Sequence, residues 1–159
     1  ASEEEELPDA PFFPSKSSWT GALVPDKVHD EVGPVNGDLF IRGEDEEYPW
    51  RIERAGFRFE AVRNAVMDHP GPASLVRWRI LGKNFFFEKG LADWKVYYEL
   101  RNSVWLKRRQ SGSLGAAASA LIFAAAITRY EGPRRLPLLW RAVADGFCDR
   151  LGKWVNHPA

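Results

Sequence analysis

The sequence predicts a mixed α/β chain whose first half alternates strands with helices and whose second half is helical. Three observations predict it. Phe57, Phe59 and Ala61 alternate with Arg58 and Glu60, the period of a half-exposed strand. Two segments, Pro25 to Gly33 and Glu44 to Gly56, open on proline or on acids and close on glycine, as helices do. From Asp93 onward an acidic opening, cationic endings and long apolar runs read as successive helices.

Composition narrows the function classes. The 159 residues suit one domain or a piece of one, and with 45% apolar and 13% aromatic residues a packed core is expected. Lys plus Arg and Asp plus Glu both number 22, so no overall charge draws the chain to nucleic acid. Cys148 is the single cysteine, which excludes an intramolecular disulfide and fits a reducing, cytoplasmic setting. No secretory leader pattern is visible.

In chain order, Ala1 to Ser18, with four glutamates and three prolines, reads as an acidic tail or loop. Trp19 to Val24 reads as a buried strand with Trp19 in the core, and Pro25 then opens a short helix that ends at Gly33. Leu39 to Ile41 is a short strand. The helix from Glu44 to Ala55 follows, stopped by Gly56 and kinked at Pro49, which forfeits a backbone hydrogen bond. After the Phe57–Ala61 strand, Ala65 to Met67 is a second apolar piece. Ser74 to Phe87 reads as an aromatic, basic helix weakened by Gly82. Asp93 to Arg109 is a helix with Asp93 as its N-cap. Ser113 to Thr128 is almost wholly apolar; its 16 residues reach only about 24 Å, short of a bilayer core of roughly 30 Å, so it is expected at the centre of a helical bundle. A last amphipathic helix, Leu136 to Leu151, is capped by Gly152. The expected organisation is thus 1–18 tail, 19–73 α/β and 74–159 helical.

The chemistry concentrates between Asp38 and Pro70. "GEDEEYPWR" gathers carboxylates where a helix begins, and a carboxylate able to take a proton from a hydroxyl is what group transfer to that hydroxyl requires. The bland reading is a solvated acidic first turn that suits the helix dipole. Glu47 and Arg51, at i,i+4, are expected to pair on the surface for about 0.3–0.5 kcal/mol. His69 is a metal-ligand candidate, since imidazole suits a divalent cation, but it needs carboxylate partners, and neither the N-terminal tail nor the segment before Pro25 holds a D-x-D.

The run from Gly21 to Pro70 resembles the C-terminal half of the catalytic domain of glycosyltransferase family two, in its rhamnosyl- and galactofuranosyltransferase-like branch, and the whole resemblance spans roughly Trp19 to Lys153. The resemblance rests on Gly21-Ala22, on "FIRGEDEEYPWR" (Phe40 to Arg51), on Ala55-Gly56-Phe57 and on Ala65 to His69; "YYELRN" (Tyr97 to Asn102) and "ADGFCDRLGK" resemble the family's later helices. It implies the C-terminal half of a GT-A type mixed sheet, followed by an all-helical region. It further implies an inverting transfer from a nucleotide-sugar donor to a glycan or glycolipid acceptor, with Asp45 as catalytic base, Glu44 and Trp50 on the acceptor side, and His69 as one ligand of a divalent cation (Mn2+ or Mg2+). Trp50 reads equally as core. Asp45 and His69 would then stand on opposite walls of one cleft. Pro49 departs from the family pattern, and the donor-binding half with its D-x-D acids is not seen, so the chain reads as a fragment or as one part of a two-chain enzyme.

Two other readings compete. The helices from Asp93 on, with the basic Arg134-Arg135, suit a non-catalytic interaction module that docks a partner or lies at the inner, anionic face of the plasma membrane. Self-association that covers exposed sheet surface is the third.

Overall fold

A computed structural model describes residues 12–14, 21–65, 68, 74–80 and 83–153. The fold is mixed α/β, and among the described residues its strands form two separate antiparallel pairs. The chain divides into two compact units whose segments interleave: one takes residues up to Val35 and Asp45–Pro70, the other Asn36–Glu44 and Gly71 onward.

In the first unit, β1 (Phe12–Pro14) pairs antiparallel with β2 (Glu60–Val62), placing Phe12 opposite Val62. This is a correction to the expected tail, part of which is a strand. Helix α1 (Asp26–Val32) starts after Pro25 and stops at Gly33, whose φ of 80° is left-handed backbone that glycine adopts without a Cβ penalty. Helix α2 (Glu44–Arg54) runs through Pro49 as one element, and Gly56 (φ 91°) follows it. Pro49 has no N–H to offer the Asp45 carbonyl four residues back. Val28, Tyr48 and Ile52 form the core of this unit, with Val24, Val32, Phe57 and Phe59 packed around them. Full burial of such side chains stabilises by about 1.5–3 kcal/mol each. The strand expected over Trp19–Val24 is not one where it is described: Gly21 is a turn residue (φ 76°) and Ala22 to Val24 pair with no strand. Trp19 lies outside the described residues, as do Val66 and Met67 of the second apolar piece.

The second unit holds the larger core. The helix expected over Ser74–Phe87 is instead a hairpin of β3 (Leu75–Ile80) and β4 (Lys83–Glu88), with Trp78 opposite Phe85. The cause is the strict alternation of "LVRWRI", which exposes Leu75, Arg77 and Arg79 and half-buries Val76, Trp78 and Ile80. Phe87 carries the hairpin onto the helices, edge-on to Phe123 at 5.8 Å and stacked near Tyr130 at 6.3 Å.

Helix α3 (Asp93–Glu131) is 39 residues long but is broken at Gly112 (φ 75°, ψ −179°) into limbs 93–111 and 113–131. The limbs fold back on each other, because Arg135, just beyond the second, pairs with Asp93 at the start of the first (2.8 Å) while also bonding Glu131. Asp93 is the first helical residue, and Ala92, with no capping side chain, holds the N-cap position. Helix α4 (Leu136–Phe147) then runs alongside the first limb in the same direction. Tyr97 bonds Asp145, and Arg108 and Arg109 both bond Asp149. Close approach here requires Gly146: a Cβ there would lie 2.6 Å from the Arg101 carbonyl oxygen. The last helix therefore ends four residues before the expected Leu151.

Candidate functional site

The site begins with a loop, not the expected strand, at Leu39–Ile41. Asn36 accepts a hydrogen bond from the Asp38 N–H through its side chain (3.1 Å), an Asx turn that starts the 3-10 turn Gly37–Leu39. Phe40 (φ 65°) and Arg42 (φ 64°) are both left-handed without being glycine, and Gly43 (φ 95°) follows. Each such non-glycine residue costs on the order of 1 kcal/mol or more and persists only where surrounding contacts impose it.

Those contacts come from the first limb of α3. Asn102, buried, donates its Nδ2 amide to the carbonyls of Leu39 (3.0 Å), Ile41 (3.0 Å) and Arg42 (2.5 Å). Arg101, also buried, donates to Leu39 O (3.0 Å), to Gly152 O (2.7 Å) and to the Asn102 side-chain oxygen (2.9 Å). Its guanidinium lies 4.7 Å from the Tyr98 ring centre, which spreads the buried charge over an aromatic face. Gly152 in turn donates its N–H to Asp38 O (2.6 Å). A Cβ on Gly43 would stand 3.1 Å from the Asn102 Cβ, so the loop passes the clamp where only glycine fits easily. Arg42 is tied down by Glu88 and Glu99, each at 2.9 Å. Phe40, half exposed, tilts against Tyr98 at 5.0 Å, with the Lys153 ammonium 5.5 Å from its ring centre.

From Gly43 the chain enters α2, which carries the acids. Asp45 and Glu46 are exposed in its first turn. Glu44 is partly buried, and its Oε2 is buried with no hydrogen-bond partner. A carboxylate oxygen in that state is costly to leave unpaired, and it is an acceptor that a hydroxyl or N–H of a ligand would satisfy. Trp50 is half-buried, with the Arg54 guanidinium 5.2 Å from its ring centre.

Glu47 is not the surface ion-pair partner expected of it. It is buried, with 4% of its side chain exposed, and binds Arg51 through both oxygens at 2.7 and 3.2 Å. Arg51 also donates to the carbonyls of Val32 and Pro34 at 2.7 Å each, and Tyr48 donates to Gly33 O at 3.0 Å. The acidic run thus divides by face: Glu47 holds the end of α1, and Asp45 and Glu46 face water.

His69 lies outside the described residues, and so does its separation from Asp45. Among the described residues no group of three or more His, Cys, Asp or Glu is brought together to hold a metal ion. The clamp of Arg101 and Asn102 carries no signal of its own in the sequence beyond a polar pair set within an aromatic helix.

No family model, characterised protein or solved structure matches the chain. What each unit can do therefore rests on its own geometry: in one, a strained loop held by Arg101 and Asn102 and ending at Glu44, which has an unpaired buried oxygen; in the other, a helix whose first turn exposes Asp45.

Proposed function

We propose that this chain is the acceptor side of an inverting glycosyltransferase of GT-A type, with Asp45 as its general base. The observation that carries the reading is the exposed carboxylate of Asp45 in the first turn of α2, directly after a loop of left-handed residues clamped by Arg101 and Asn102. Strain maintained by buried hydrogen bonds is characteristic of functional loops, and a base must be accessible to the hydroxyl whose proton it takes.

In this reading the acceptor hydroxyl oxygen attacks the anomeric carbon of the donor sugar while its proton passes to a carboxylate oxygen of Asp45. The bond from the anomeric carbon to the diphosphate breaks, and the nucleoside diphosphate leaves with the electron pair. The unpaired Glu44 oxygen accepts a hydrogen bond from a second acceptor hydroxyl, and the Trp50 ring offers an apolar face to the sugar. Acceptor activation in this form needs only the chain's own residues. His69 and a divalent cation belong to the leaving-group side of the same proposal.

The test is transfer by the full-length protein from UDP-galactofuranose and dTDP-rhamnose to glycan and glycolipid acceptors, with the anomeric configuration of the product read by NMR. Inversion is expected. Retention, or no transfer from any nucleotide-sugar, overturns the proposal.

A further inference from the structure

The second limb of α3 is apolar on both faces. Toward the protein it buries Ala116, Ala120, Ala126 and Ile127 and packs Phe123 and Tyr130 against Phe87. Toward solvent it turns Leu114, Ala118, Leu121 and Ala125, spaced i, i+4, i+7 and i+11 along one stripe. Leu114 is 88% exposed and Leu121 72%. A helix that faces only water turns polar residues outward; this limb turns two leucines and two alanines to solvent. On α4, Trp140 is 77% exposed.

Among the described residues α3 is the one helix long and apolar enough to cross a membrane, with only 22% of its most apolar window buried. The break at Gly112 and the protein core against Ala116, Ala120 and Ile127 favour a limb that lies on a surface over one that crosses a bilayer. The charge around it selects the surface. From Lys107 to Ala144 there are seven cations (Lys107, Arg108, Arg109, Arg129, Arg134, Arg135 and Arg141) and one acid, Glu131, a net of +6 in sequence; of these Arg108 and Arg109 share Asp149, Arg135 meets Asp93 and Glu131, and Arg141 meets Asp145. Arg129 and Arg134, at the far end of the stripe, are exposed. A second copy on this face would set two such basic margins against each other, whereas anionic headgroups complement them.

We infer that the exposed Leu114–Ala125 stripe of α3, with its basic margins, seats the protein on an anionic lipid bilayer, its leucines entering the acyl boundary and its arginines meeting the headgroups. This inference is independent of the glycosyl-transfer reading.

The experiment is co-sedimentation of the full chain with phosphatidylcholine vesicles, with and without phosphatidylglycerol, at low and high salt. Binding is expected to the phosphatidylglycerol vesicles and to weaken as salt rises. Leu114→Asp with Leu121→Asp is expected to abolish it. Arg129→Gln with Arg134→Gln is expected to weaken it by about twenty- to thirtyfold, about fivefold per cation. The arginine pair is exposed, so that variant decides the matter even where the leucine variant fails to fold. No binding to phosphatidylglycerol vesicles, equal binding to both vesicle types, or wild-type binding by the arginine variant overturns the inference. So does a dimer in sedimentation equilibrium that Leu121→Asp dissociates in a protein that binds no vesicle.

Discussion

Asn102 is the residue on which the loop before α2 depends most. It sits in the first limb of α3 with three loop carbonyls on its amide, and those carbonyls have lost water to be there. Asn102→Ala is expected to destabilise the protein by about 2–4 kcal/mol, since it takes the amide donor from the Ile41 and Arg42 carbonyls and leaves Leu39 O to Arg101 alone. Urea unfolding followed by circular dichroism checks this, and a loss below about 0.5 kcal/mol would mean the loop holds itself. Tyr97, one turn earlier, makes a pH prediction. Burial, reinforced by its hydrogen bond to Asp145 (2.7 Å), pushes its phenol up from 10.0 to about 12. In that window the unfolded chain gives up the proton first, so the folded state binds more protons and stability falls as pH rises from about 10 to about 12. Below that window the contribution is fully present. Tyr97→Phe is expected to flatten this fall, measured as urea midpoints on both sides of pH 10; identical slopes for the two proteins would contradict it. Asp149 works in the opposite sense. Its hydrogen bonds to Arg108 and Arg109 hold its carboxyl below the usual carboxylate range, so its share of stability is present above that range and is lost as pH falls through the lowered value.

At the scale of elements, helices were the readable part of the chain. Pro25 and Gly33 bound α1, the acids and Gly56 bound α2, and the cation-ended run from Asp93 is the first limb of α3, because start and stop residues act locally. The β3–β4 hairpin escaped although its period of two was present in "LVRWRI"; the aromatic, basic composition drew the helical reading. The loop at Leu39–Ile41 was misread for a different reason. Its shape is imposed by Arg101 and Asn102, about sixty residues away, and such a contact leaves no local trace. The site was legible in the same proportion: the acids of α2 stood out by their spacing, but which acid faces water and which is buried depended on α1. Arg51→Leu tests that division. It leaves the buried Glu47 carboxylate unpaired and frees the end of α1, and is expected to cost about 2–4 kcal/mol, several times the surface-pair value. A cost under about 0.5 kcal/mol in thermal or urea unfolding would return Glu47 to the surface.

Across the whole molecule, zero net charge conceals a division. Four glutamates stand at Glu3 to Glu6 and four acids at Glu44 to Glu47, while the stretch from Lys107 to Ala144 carries a net of +6. Under the proposed function Asp45, in the second acidic run, activates an acceptor; under the separate membrane inference the basic stretch meets anionic headgroups. The left-handed Phe40 and Arg42 cost stability in isolation, and the exposed Leu114 and Leu121 forgo the stabilisation that burial would bring. The central claim is that Asp45, and not simply the charge of its helix turn, removes the acceptor proton. The direct measurement is kcat for Asp45→Asn beside Glu46→Gln, two exposed acids of one turn that each lose one charge. Asp45→Asn is expected to lower kcat by about 10²–10⁴ while Glu46→Gln stays within a few-fold of wild type; near-normal turnover by Asp45→Asn, or an equal loss in both variants, would contradict it.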